Sequence, residues 1–384
     1  MFRPTRILQV AVASLFLSGC AAGGDGQRIP ETGSTVNQTI VSNDRINSSR
    51  TGNPGQGTAS PGDFVDPEGR LLPEIEAFAR QTAQEGGIPL ERVQALLRTA
   101  QYNATAVKLM TPPERHRRIR RAWLSYRQRH VDPIRIRRGA AFWEAHRHTL
   151  DQVSARTGVP TSILVAIIGI ETVYGQFTGN HRVLDTLTTL GFRYPDPSRP
   201  ERQAMFRSQL ADLIILDHRG MLDAGTVEGS FAGAIGLPQF MPGSLMRYAV
   251  DGGGDGRIDL ANDVDDAIAS VGNFLQAHGW VRGVPVFAPV RLPANPAPLV
   301  QDGLTPTSDW PRLRAAGARS LSDRDTGWQS QPLGVIDLRD EIRDTHDYRC
   351  ATPNFFAITH YNRSYFYAAS VADLAREIQD RTGY

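Results

Sequence analysis

Lysine is all but missing from this chain of 384 residues: Lys108 is the only one, and arginine supplies the rest of its 42 basic side chains. An excess of either charge is missing too. Forty acidic residues leave a formal net charge of +2, which gives no general reason to expect nucleic-acid binding. Cysteine is scarce, and Cys20 and Cys350 alone exclude a disulfide framework and a four-cysteine zinc site. Apolar runs of the roughly 20 residues that span a bilayer are lacking, so a multi-span membrane protein does not fit. What remains is 40% hydrophobic, enough for a globular body. Glycine and proline are plentiful at 36 and 25, too many for a simple helical bundle unless they are concentrated in particular regions.

The first such region follows a short leader. Arg3 and Arg6 precede an apolar stretch from Ile7 to Phe16, the length of a signal-peptide core. It ends in Leu17-Ser18-Gly19-Cys20, which resembles the lipobox of bacterial lipoproteins. That resemblance implies lipidation of Cys20, and Ala21 in place of aspartate implies the outer membrane. Residues 1–20 thus read as a lipoprotein signal. Residues 21–63 are rich in Gly, Ser, Thr, Asn, Gln and Pro, with no helical or strand period, and read as a flexible tether.

From Leu72 the pattern turns helical. Pro73 and Glu74 open a helix towards Gln84, and Pro89 to Thr99 forms a second. Thr111-Pro112-Pro113-Glu114 reads as a further helix start. Behind it come Arg115, Arg117, Arg118, Arg120 and Arg121, then Trp123, Leu124 and Tyr126, read as a solvated face with a packed opposite side rather than a nucleic-acid site. One helix is expected over Gly139 to Arg156. Prolines 285, 289, 293, 296, 298, 306 and 311 mark a β-rich insertion. The expected layout is an N-terminal helical domain at 64–145, a core at 146–281 and 344–384, and the insertion at 282–343. The class is α+β, predominantly helical.

The most informative segment runs from Val159 to Gly175. Pro160, an unbroken apolar run and a glycine stop define a buried helix, with Glu171 on the face of Leu164, Ile167 and Ile168. A carboxylate there is either paired structurally or held for chemistry. Desolvation favours its neutral form, which suits a general acid for a glycosidic oxygen.

Around it stand longer motifs: Gly169-Ile-Glu171-Thr-x-Tyr174-Gly175, then Leu184-Asp-x-Leu-x-Thr-Leu-x-Phe192-x-Tyr194-Pro195. Further on come Gly229-Ser230-Phe-Ala-Gly-Ala-x-Gly-x-Pro-Gln239-Phe-Met-Pro, Ala277-His-Gly-Trp280 and Thr359-x-Tyr361-Asn362-Arg-Ser-Tyr-x-Tyr367. Together they resemble the lytic murein transglycosylase B family over the whole folded part, from about residue 70 onward. The resemblance implies a lysozyme-like catalytic core that cleaves the MurNAc–GlcNAc bond of peptidoglycan, with Glu171 as sole catalytic carboxylate. It implies a substrate groove lined by Tyr126, Ser230, Gln239, Tyr361, Asn362 and Tyr367. Arg202 is a candidate for a stem-peptide carboxylate, although residues 196–200 are inserted before it.

A single carboxylate suffices if the nucleophile is the C6 hydroxyl of the same MurNAc, already held beside C1. The runner-up is a lysozyme-type hydrolase with a second carboxylate activating water. Asp185 is the nearest candidate in sequence, though its setting between leucines suits a cap or core role. A third reading is a non-catalytic peptidoglycan-binding lipoprotein that scaffolds wall-synthesis proteins. No cofactor is expected. Asp251-Gly-Gly253-Gly-Asp255-Gly256-Arg257 carries half of an EF-hand loop, with Asn262 where a bidentate glutamate belongs. The family resemblance implies closure by a later aspartate, Asp265 or Asp266, with the following helix favouring Asp266. Asp251, Asp255, Arg257 and Asp266 would then hold at most a weak, stabilising calcium ion.

Overall fold

The computed structural model describes residues 64–112, 120–322 and 327–383. Cys20, the signal-like segment and the tether lie outside the described residues, as do Pro113 to Ile119 with three arginines of the basic run. Three helices come first: α1 (Pro73–Gly86), α2 (Leu90–Arg98) and α3 (Ala104–Met110). Pro73 and the acids Glu74 and Glu76 occupy the first turn of α1, and left-handed Gly87 ends it.

The chain resumes in α4 (Trp123–His130), α5 (Pro133–Ala145), α6 (Arg147–Thr157) and α7 (Thr161–Thr172). The single helix expected over 139–156 is two. Asp132 starts α5 well upstream, its carboxylate accepting the Ile134 and Arg135 N–H groups ahead of Pro133. The helical path then breaks at His146 (φ −118°, ψ 24°). Left-handed Gly158 ends α6, and α7 leaves it at 114°. All twelve residues of α7 are buried, under α5, α6, α11 and α14.

The middle of the chain supplies β1 (His181–Arg182), α8 (Val183–Phe192), α9 (Pro200–His218), β2 (Glu228–Gly229), α10 (Pro242–Tyr248) and α11 (Val264–Ala277). The insertion holds β3 (Val290–Arg291), α12 (Trp310–Ala315), β4 (Arg319–Ser320), β5 (Gly334–Asp337) and β6 (Tyr348–Ala351). Last come α13 (Pro353–Tyr361) and α14 (Tyr365–Thr382). Every sheet among the described residues is an antiparallel pair: β1 with β2, β3 with β4, β5 with β6. The fold is α+β and mostly helical.

The insertion does not stop at 343. Its own apolar cluster joins Val284, Leu313, Trp328, Leu333 and Val335 to Cys350 in β6. Successive residues of a strand face opposite ways. Val335 and Cys350 therefore face the small cluster, while Ile336 and Ala351 face the main core. The β5–β6 hairpin is the seam between two cores, which a reading by proline content alone could not place. Burial pushes the Cys350 thiol up to about 12, so it stays an inert thiol there.

Ion pairs fasten this seam to the helices. Asp373 of α14, 3% exposed, receives Arg349 of β6 at 2.7 Å and Arg127 of α4 at 2.6 Å. Asp347 accepts from Arg349 at 2.7 Å and from the Trp123 indole at 3.1 Å. Burial raises the Asp373 carboxyl, but hydrogen bonds and charge from Arg349, then Arg127, outweigh it and hold it below the ordinary value. A depressed folded-state value adds stability that is complete above the unfolded value near pH 4 and is lost as pH falls through the folded one. Asp373→Asn should therefore cost about 2 kcal/mol at neutral pH and flatten the loss of stability below pH 4. Urea unfolding of both proteins across pH checks it; parallel acid limbs would refute the assignment.

Candidate active site

Glu171 lies in the last turn of α7 and is 1% exposed. The Tyr367 hydroxyl, from the first turn of α14, donates to its Oε1 at 2.6 Å. Tyr361, at the end of α13, stacks on Tyr367 with ring centroids 6.3 Å apart and donates to the Pro238 carbonyl. Tyr126 of α4 packs between His130 and Phe366, with centroids at 4.3 and 5.6 Å. Burial first, and the Glu171 charge second, push the phenols of Tyr126, Tyr361 and Tyr367 well above their ordinary range. All three remain protonated donors at any physiological pH.

The structure thus brings Glu171, Tyr126, Tyr361 and Tyr367 together from four helices. Asn362 follows Tyr361 at the turn into α14, half-buried, its carbonyl accepting the Ser364 N–H at 2.7 Å. Ser364 caps α14 and so sets the height of Tyr367.

The loop 229–241 arrives from another direction. Gly229 pairs with His181, and Ser230 follows. The Ser230 hydroxyl oxygen accepts the Ala234 N–H at 3.0 Å, closing a tight turn. Gln239 sits at φ 52°, and its amide nitrogen donates to Thr178 O and Gly236 O at 3.0 and 2.9 Å. Both amide protons are taken by backbone, so only its oxygen could serve a ligand. Thr172 ties the loop to the acid helix: its hydroxyl donates to Leu237 O at 3.1 Å and accepts the Gly175 N–H at 3.0 Å.

Arg202 belongs to α9. It is buried in the first turn of α9, its guanidinium against the Tyr194 phenol. Asp185, weighed above as a base, accepts the Gln101 N–H at 2.8 Å and pairs with Arg182 at 3.3 Å. Its carboxylate fastens α8 to the α2–α3 connection.

The turn after Glu171 departs from expectation. Gly175 was the expected stop, yet α7 ends two residues earlier, because Val173 (φ 52°) and Tyr174 (φ 59°) are already left-handed. Such backbone costs on the order of 1–2 kcal/mol per non-glycine residue, most for a β-branched one, and persists only where its surroundings impose it. Here Arg135 of α5, 7% exposed, donates to Gly169 O at 3.0 Å, and the Tyr174 hydroxyl donates to Arg135 O at 3.1 Å. Sequence reasoning overlooked Arg135, since nothing local distinguishes it from the arginines around it.

The loop at 251–266 is closed by its own backbone. Asp251 accepts the Gly254 and Gly256 N–H groups, which hold its carboxyl below the ordinary range. Asp255 accepts the Arg257 N–H at 2.8 Å. Asp266, not Asp265, completes the loop, accepting Gly252 N–H and Asp259 N–H at 2.7 Å each. Asp265 instead accepts from Thr149 at 2.7 Å. Gly253 offers no side-chain donor, and no group of three or more metal-ligating side chains stands together among the described residues. This donor set does not fit a tight calcium site.

Residues 71–376 match the family described as Transglycosylase SLT domain. Membrane-bound lytic murein transglycosylase B of Escherichia coli (strain K12) is 32% identical over 343 residues, 84% of this chain and 90% of that one. The crystal structure of soluble lytic transglycosylase SltB1 from Pseudomonas aeruginosa superposes with TM-score 0.71 at 36% identity, covering 81% of this chain and all of that one. SltB3 from the same organism, in complex with NAG-NAM-pentapeptide, gives TM-score 0.69 at 29% identity over 80% and 79% of the two chains.

Proposed function

The chain belongs to the Transglycosylase SLT domain family and is a peptidoglycan lytic transglycosylase; from that premise we propose that Glu171 alone serves it as acid and then base. The observation that carries this is the Tyr367 hydrogen bond to Oε1 of a buried carboxyl. Removal from water favours the neutral carboxyl. With Tyr367 donating to Oε1, the acid proton resides on Oε2. Glu171 passes that proton to the glycosidic oxygen as the C1–oxygen bond of MurNAc breaks, releasing GlcNAc. The carboxylate left behind takes the proton of the MurNAc C6 hydroxyl, and its oxygen bonds to C1, closing a 1,6-anhydro ring. Glu171 ends protonated, no water is consumed, and no cofactor is required. The Tyr367 hydrogen bond stabilises the carboxylate during the interval in which it is charged.

Tyr126, Tyr361, Asn362 and the Gln239 oxygen then line the groove, where an aromatic face covers a sugar ring. Ser230 acts by shaping its loop. Arg202, beside Tyr194, is the reader of the stem peptide. Cys20 carries the lipid that holds the enzyme at the periplasmic face of the outer membrane, a reading supported by Leu17-Ser18-Gly19-Cys20.

Muropeptides released from purified sacculi should carry 1,6-anhydro ends, seen by mass spectrometry as the loss of one water per MurNAc terminus. Reducing MurNAc ends instead would establish the hydrolase reading and remove the single-carboxylate mechanism.

A further inference from the structure

The acid helix ends in a backbone course that its own residues disfavour. Val173, Tyr174 and Gly175 stand in succession at φ 52°, 59° and 84°, directly after Glu171 and Thr172. Only the third is a glycine, and a β-branched valine in the left-handed region is a genuine outlier. Something outside the turn imposes it.

We infer that Arg135 and Tyr174 form a clamp that holds this left-handed turn and thereby fixes the rotation of Glu171. They are positioning residues that act through the backbone of α7. The inference rests on the reading of Glu171 as the acid.

Four observations support it. First, the Tyr174 phenol fills a slot between α5 and α7 that exists because two residues lack a Cβ. A Cβ on Gly139 would lie 2.4 Å from the Tyr174 oxygen, and one on Gly169 would lie 2.3 Å from it. Second, the hydroxyl at the bottom of that slot donates to the Arg135 carbonyl at 3.1 Å. Burial pushes this phenol well above its ordinary range, despite the Arg135 charge that lowers it, so it stays a donor.

Third, the Arg135 side chain reaches back to the same turn. Its Nε donates to Gly169 O at 3.0 Å, the carbonyl that also accepts the Val173 N–H at 3.1 Å in the last helical hydrogen bond. Fourth, Arg135 is itself immobilised. One guanidinium nitrogen donates to Arg129 O at 3.0 Å and pairs with Asp132 at 2.5 Å, the residue that caps α5. The planar fork thus joins two backbone carbonyls, Arg129 O and Gly169 O, and the Asp132 carboxylate, a geometry that an ammonium group cannot reproduce. The clamp also accounts for the spacing Gly169-x-Glu171-x-x-Tyr174: the glycine makes room for the tyrosine that locks the turn after the glutamate.

The test exploits the strain. Tyr174→Phe keeps the ring in its slot and deletes only the hydrogen bond. With a soluble glycan strand of defined length, it should lower kcat by about tenfold at nearly unchanged KM, because a small misplacement of the acid affects the chemical step. Arg135→Lys should do the same or worse. Val173→Gly removes the larger, β-branched part of the steric objection to the left-handed course, so the turn depends less on the clamp. Adding Tyr174→Phe to Val173→Gly should then cost less than about threefold in kcat.

Several results would overturn the inference. A rise in KM at constant kcat would make Tyr174 a substrate contact. An equal loss of kcat in both backgrounds would reduce it to ordinary packing. No loss in Tyr174→Phe would remove the clamp altogether. Circular dichroism and melting temperature establish that each variant is folded, and Tyr174→Phe suffices alone if Arg135→Lys does not fold. Glu171→Gln is assayed beside them. Should it stay active, the acid assignment falls and the clamp with it; should it be inactive while Tyr174→Phe is not impaired, only the clamp falls.

Discussion

Replacing Glu171 by glutamine should lower the release of anhydro-muropeptides by about a thousandfold or more while leaving the fold intact. Glutamine keeps the size and the oxygen that accepts from Tyr367, so the hydrogen bond at 2.6 Å survives. It can neither give an acidic proton to the leaving oxygen nor take one from the C6 hydroxyl, so both halves of the reaction stop together. The melting temperature should stay level or rise, since a buried group with an ionisable proton is exchanged for a neutral amide. Mass spectrometry of digested sacculi gives the rate, and calorimetry gives the stability. Activity within tenfold of the parent would show that the acid is another residue. A collapse of the melting temperature would show that Glu171 holds the core, and the loss of activity would then carry no mechanistic weight.

The second large effect concerns backbone against backbone. Gly179 sits at φ 92°, and a Cβ there would stand 2.1 Å from Gly229 O and 2.5 Å from Ser230 N. Both contacts are main chain, so no side-chain rotation relieves them. Gly179→Ala should push the turn before β1 away from the loop that carries Ser230 and Gln239, breaking the hydrogen bond from Gln239 to Thr178 O. We expect a cost of about 3 kcal/mol, which lowers the melting temperature by roughly 4–5 °C for a protein of this size. At temperatures where the variant remains folded, activity should fall at least tenfold, because one wall of the site has moved relative to α7. Differential scanning calorimetry with a parallel sacculus assay decides it. A melting temperature within two degrees of the parent would mean that the two loops are not in the close contact described.

These two positions differ in how visible they were beforehand. Glu171 stood out because a carboxylate on an apolar face contradicts its surroundings, and contradictions of that kind are local. Gly179 did not stand out. It is one of 36 glycines, and its importance arises from Gly229, fifty residues later, being laid across it. The same holds for Arg135 among its neighbours Arg137 and Arg138: only the packing of α5 on α7 makes one of them a structural cation. Helix limits were legible where a proline opens the first turn, as at Pro73. They failed at residue 146, where neither proline nor glycine marks the break between α5 and α6.

By itself the sequence determined that a buried helix would end near a carboxylate, that ordered motifs of the transglycosylase B type surround it, and that an arginine-rich, mostly helical body follows a lipoprotein-like leader. The first of these is a consequence of residue type, periodicity and spacing, which act within one or two turns of chain; the motifs and the leader are read by resemblance. Tertiary structure alone decided that Tyr367, 196 residues away, donates to Glu171. It alone turned Gln239's amide onto the backbone, placed Arg202 beside Tyr194, and made β5–β6 the seam of two cores. The physical reason is common to all four. A hydrogen bond between distant segments is set by the docking of whole helices and loops, and that docking is driven by burial of apolar surface which has no direction of its own.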